Sequence, residues 1–157
     1  MWEALQHTGW ATTLATTRWL YALVSVAHYF TIFLFVGTIL LVNLRILGLA
    51  ARNQPLLSFV EQLQPWTLIG LGIALVSGFL LFATEAGDFA AATPFRFKIL
   101  IISLAIIFSV AVQRNVSNWD RAPAIPVKAK LLALISMVLW LGAILVGIEI
   151  AALTGFG

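Results

Sequence analysis

Apolar residues in this chain come in four long blocks, with polar, charged and proline residues collected between them. The blocks cover roughly residues 20–44, 66–83, 95–112 and 131–153. Crossing a hydrocarbon core about 30 Å thick takes about 20 apolar residues at about 1.5 Å rise each. Each block is therefore sized to cross a bilayer as a helix. A membrane β-barrel would need alternating polarity along every strand, and none of the blocks alternates. The pattern predicts an all-α integral membrane four-helix bundle with a short N-terminal interfacial segment, forming a single domain over residues 1–157.

The punctuation agrees. Pro65, Pro94 and Pro126 stand just ahead of the second, third and fourth blocks, where a missing N–H has no intrahelical partner to lose. Thr93 is the expected N-cap of the third span. Gly48 and Gly87 are the expected C-terminal caps of the first and second. The connections, 54–65, 84–94 and 113–130, are short, which favours up-down-up-down topology. The two halves show no repeat, so an inverted-repeat transporter has no support.

Composition then sharpens the setting. Of 157 residues, 62% are hydrophobic and 10% charged, against about 25% charged in a soluble domain. The net charge of +3 does not point to nucleic acid, because the basic residues sit between the spans. Arg45, Arg52, Arg114, Arg121, Lys128 and Lys130 flank the first and third connections, while Arg18, Arg96 and Lys98 lie on the other side. The positive-inside rule then puts both termini outside the cytoplasm. With no cysteine, disulfides, thiolate metal sites, iron–sulfur clusters and covalent c-type haem are excluded. The first 17 residues lack a basic signal-peptide start and contain Trp2, Glu3, His7 and Trp10. They read as a lead-in lying at the membrane interface.

Two ridges of small residues bear on packing. Gly70, Ala74 and Gly78 recur every fourth residue in the second block, and Ala143, Gly147 and Ala151 do so in the fourth. Such spacing lets helix backbones approach closely in lipid. It serves either the interior of the bundle or contact with a second copy or other membrane subunits.

His28 is the outstanding candidate for chemistry, a titratable group well inside the first span. Ionisable groups at that depth are costly and face the bundle interior or a cavity. Arg18, Tyr21, Ser25 and His28 follow helical spacing and form a polar stripe running in from the interface. Three roles compete for His28: a neutral cross-helix hydrogen bond, axial ligation of haem b, and copper or other metal binding with or without proton relay. Arg18, about 15 Å along the same face, is placed for a haem propionate. A second axial ligand is harder to find, since His7 lies in the lead-in and Met137 sits more than about 10 Å away in depth. Glu149, in the outer part of the fourth span, could join His28 and His7 in a metal or proton-handling cluster, or simply reach the headgroups. Arg45 reads as a topology-setting residue, and Trp119-Asp120-Arg121 as a solvated turn. No phosphate loop, nucleophile elbow or paired-carboxylate signature is present, so no catalytic residue is assigned. Any enzymatic role would be that of a subunit in an oxidoreductase complex.

The run from His28 through Gly37, Asn43-Leu44-Arg45 and Leu47-Gly48 is followed by Pro65-Trp66-Thr67 and Ser77-Gly78-Phe79-Leu80-Leu81-Phe82. Thr93-Pro94-Phe95 with Lys98, and then Trp119-Asp120, complete the series. Together they resemble an uncharacterised bacterial four-helix membrane family. That family is distantly similar to CopD-like copper-resistance proteins and to small b-type membrane cytochromes. The resemblance implies an inner-membrane protein linked to electron transport or metal handling, with His28 as the position to which a ligand role carries over. The alternatives are a structural or assembly subunit with no cofactor, and a small-solute or proton pathway.

Overall fold

The computed structural model describes residues 2–153, except for the side chains of 88, 91 and 148–153. The candidates Glu149 and Ala151, and Asp88, thus lie outside the described residues as far as their side chains are concerned. The described chain is helical without strands. Two short helices, α1 (Trp2–Gln6) and α2 (Gly9–Thr16), precede two long ones, α3 (Arg18–Leu47) and α4 (Leu56–Thr84). A short α5 (Ala86–Ala91) leads into α6 (Thr93–Asp120) and α7 (Val127–Leu153). The four long helices are each long and apolar enough to cross a membrane. The fold class read from the hydropathy pattern is the one observed.

The long helices pack in sequence order around a ring, α3 on α4, α4 on α6, α6 on α7 and α7 back on α3. The α3–α4 and α6–α7 seams are the most extensive. Outward faces carry large apolar side chains such as Phe30, Phe33, Val76 and Leu145, all more than 60% exposed. In water such a surface would drive aggregation; here it is the surface that meets lipid. The interior holds two apolar clusters. One, on the side holding the α3–α4 and α6–α7 connections (the far side), is built from Val42, Ile46, Leu56, Val60, Val112, Val116 and Trp119. The other, at mid-height, contains Phe35, Val36, Ala74, Ala105, Trp140 and Ala143.

Several boundaries differ from those expected. Pro65 does not start a helix: α4 begins at Leu56 and runs through it. Proline in a helix forfeits one backbone bond, but the helix start is fixed elsewhere, by Asp120, whose Oδ1 accepts the Leu56 backbone N–H at 2.7 Å. That carboxylate satisfies one of the orphan donors of the first turn and suits its positive dipole end. Asp120 is thus a capping residue delivered from another helix, not part of a plain solvated turn. Thr93 is the first residue of α6 rather than its cap, which is Ala92, with no side-chain cap bond. Gly48 does cap α3, in the left-handed conformation at φ 77°, which a Cβ would disfavour. Gly87 lies inside α5, and its N–H donates to Gln6 Oε1 at 3.1 Å. Arg45 donates to the Gln54 carbonyl and Arg52 to the Gly48 carbonyl, so both arginines fold the α3–α4 turn on itself.

The N-terminal segment covers the bundle end that holds both termini (the termini side). α1 packs on α5, and α2 on α3 and α4. Trp2 meets Phe82 edge-on at 5.5 Å, Trp10 lies 6.3 Å from Phe79, and Phe82 stacks on Phe95 at 5.1 Å. Ala11 and Leu14 are buried beneath α2. The lead-in is therefore a lid built onto the helix ends.

Candidate functional site

His28 faces α4, where a place is shaped for it. A Cβ on Gly78 would stand 2.8 Å from His28 Cε1, so any other residue there would push the imidazole out of this position. Ser77, the preceding residue, is buried, and its Oγ lies 3.0 Å from His28 Nδ1. The Ser77 hydroxyl donates to the Ile73 carbonyl at 2.6 Å. A hydroxyl has one proton to give, so Nδ1 carries the hydrogen and donates to Ser77. The ring is then held in one tautomer, with the Nε2 lone pair unprotonated. The imidazole also hydrogen-bonds the Ala74 carbonyl, which lies one turn before Gly78 on α4.

The charge acting on His28 is that of Lys98, from α6. Lys98 is half-buried, and its Cε and Nζ lie 3.7 Å from where a Cβ on Gly147 would stand. Three helices thus supply His28, Ser77 and Lys98, and the fourth yields space at Gly147. Above them Tyr21 hydrogen-bonds Ser25 and feels the charge of Glu85. Arg18 is exposed at the first turn of α3. The polar stripe read from the sequence therefore leads from the termini side down to His28. Lys98 comes from a different helix, so no stripe along α3 contains it; its sequence signal is a lysine about a turn and a half inside α6.

His7 is exposed in the turn between α1 and α2. Among the described residues no three His, Cys, Asp or Glu side chains converge as a metal site would require, and the neighbour of His28 is a cation. A copper or other metal ion held by this chain's described side chains does not fit. For haem the chain offers one axial nitrogen. Met137 is adjacent to Ser136, which belongs to a separate polar layer nearer the far side, so it does not share the depth of His28.

The ridge on α4 is internal. A Cβ on Gly70 would stand 2.9 Å from Phe35 Cβ and 3.1 Å from its backbone nitrogen. Ala74 is buried at mid-height, and Gly78 seats His28. Ala143 is buried in the mid-height cluster as well. These positions are occupied by packing within the bundle.

No curated protein and no solved structure matches the chain, and the comparisons show no similarity to CopD-like proteins or membrane cytochromes. A family model does match, over residues 8–152, which takes in α2 and all four spanning helices but for the last residue of α7. On that coverage the chain belongs to DUF6644, a family of unknown function.

Proposed function

We propose that the protein is a small multi-pass subunit of the bacterial inner membrane, with both termini outside, that serves a redox process by offering His28 Nε2 as one axial ligand to a haem b completed by a partner chain. The observation that carries this reading is the hydrogen-bond order around the imidazole. Ser77 is committed to Ile73, so the imidazole N–H is spent on α4, at Ser77 Oγ and the Ala74 carbonyl, and the other nitrogen of the neutral ring carries the lone pair. Ligating histidines are held in this way, with the second ring nitrogen bonded to fix tautomer and orientation. Haem would supply one-electron chemistry. The residues of this chain orient the imidazole through Ser77 and Gly78, and set positive charge beside it through Lys98.

The two alternatives gain less. A pure assembly role rests on the small-residue ridges, whose described members Gly70, Ala74, Gly78 and Ala143 are taken up by internal packing. A continuous proton pathway meets the apolar layer of Phe35, Ala74, Ala105 and Trp140, in which Phe35 and Trp140 contact edge-on at 5.0 Å.

The test is the visible spectrum of the protein purified with its native partners, oxidised and dithionite-reduced. A Soret band that shifts on reduction and is lost in His28→Ala is expected. A colourless complex, or a haem signal untouched by His28→Ala, overturns the assignment.

A further inference from the structure

A second polar layer lies in the far-side half of the bundle and draws on all four spans. Ser109 Oγ donates to the Ala105 carbonyl at 2.8 Å. With its one proton committed, Ser109 accepts from Trp140 Nε1 at 2.9 Å and from the Ser136 hydroxyl at 3.2 Å. Ser136 has then given its own proton, so its oxygen accepts Asn43 Nδ2–H at 3.2 Å. This order of donors fixes which way the Asn43 amide points. Its Oδ1 is turned away from Ser136. Asn43 is only 1% exposed and Oδ1 makes no hydrogen bond to protein, yet among the described residues no fully buried side-chain oxygen is orphaned, so Oδ1 keeps contact with open space.

Beside it is a cavity of about 10 Å³, whose polar lining is Asn43, Thr67, Ser109 and Gln113. Thr38 donates to the Phe35 carbonyl at 2.7 Å, and the Thr67 hydroxyl, 2.7 Å from Thr38 Oγ1 and 3.0 Å from the Leu63 carbonyl, gives its one proton to these two acceptors and keeps a lone pair. Gln113 makes no hydrogen bond among the described residues and has amide donors to give. An amide oxygen with no protein partner, bordering such a space, is normally satisfied by water, and a cavity of roughly 10–15 Å³ is the smallest that holds a water with two to four polar partners.

We propose that this cavity is a binding site for a single water molecule, which donates to Asn43 Oδ1 and Thr67 Oγ1 and accepts from the Gln113 amide. The lining is neutral, without a carboxylate. A bare cation there would be desolvated without a counter-charge, which selects a neutral hydrogen-bonding occupant of water size. The site ties α3, α4 and α6 together at the level where α7 joins through Ser136.

The test is water-edited solid-state NMR on the asparagine-labelled protein in lipid bilayers. Transfer from water to the Asn43 side chain should be as fast as to an exposed asparagine such as Asn53. It should fall to the level of buried Val36 in Thr67→Val. Gln113→Leu should give the same loss, and it guards against misfolding of the first variant because it leaves the Thr38–Thr67 bond intact. An Asn43 side chain as dry as Val36 in the unmodified protein overturns the proposal. So does a melting temperature that rises with sodium chloride and not with choline chloride, which would assign the site to a cation.

Discussion

Gly70 and Gly78 share a face of α4 but differ in what a methyl group would strike. At Gly70 the obstacle is the Cβ and backbone nitrogen of Phe35, which cannot move without the helix. At Gly78 it is a side-chain ring, which can swing aside. Gly70→Ala should therefore cost more, about 1–3 kcal/mol as an overpacking penalty. Gly78→Ala should cost less stability and instead displace His28 from Ser77. Thermal melts in detergent, with the ring-nitrogen NMR shifts of His28, distinguish the two. Gly72→Ala and Gly142→Ala meet open space and gain helix propensity of up to about 1 kcal/mol; a loss of stability at either would contradict this account. The residue scale is also where the sequence said least. His28 stood out because it was alone in an apolar span. Its bond to Ser77, 49 residues away, its seat on Gly78 and its neighbour Lys98 needed the register of α3 against α4 and α6, which no pattern within one helix contains. The same holds for Asn43, which stands at the end of the first apolar block yet is among the most deeply buried side chains.

Among the elements, the start of α4 depends on a residue of α6. Asp120→Ala leaves the Leu56 N–H without its carboxylate and should lower stability by about 0.5–2 kcal/mol. Asp120→Asn, which keeps an acceptor but not the charge, should recover part of that. Hydrogen exchange at residues 56–59 is the local readout, and unchanged protection there would sink the capping role. Existence and order of the spans were legible because hydropathy acts over about 20 residues and the bilayer permits few spanning structures. Boundaries were less so. Proline does mark the start of α7 and of α6, but Pro65 lies well inside α4. A trans-supplied cap and burial against α3 outweigh the lost bond, and neither is visible in local sequence. Gly48 was read correctly because a left-handed C-cap is a property of the chain next to it.

At the scale of the whole molecule, four helices enclose two polar layers with a dry one between. His28, Ser77 and Lys98 form the first, and Asn43, Ser109, Ser136 and Thr67 the second. Ten residues of α3 separate His28 from Thr38, about 15 Å of helix. Above the first layer sits the lid of α1 and α2, held by Gln6 on Gly87 and by Trp2 and Trp10 on α4 aromatics. Gln6→Ala with Trp2→Ala should loosen that lid while the bundle stays folded. Expected is faster modification of His28 by a water-soluble imidazole reagent, with little change in melting temperature. An unchanged modification rate would mean that the lid does not control access. The lid itself is legible only as an interfacial lead-in, since Trp2 and Trp10 point to an apolar surface without saying whether lipid or protein provides it.

The dry layer of Phe35, Ala74, Ala105, Trp140 and Ala143 has an electrical consequence. A membrane voltage falls most steeply where polarisable groups and water are scarcest, and in this bundle that is the layer between the two polar sets. Carrying one charge across a whole membrane at 100 mV involves about 2.3 kcal/mol. A proton or electron that reaches His28 from the termini side stops short of the layer and traverses only a small part of that drop. Chemistry at His28 would then follow the solution on its own side and be nearly blind to the potential across the membrane.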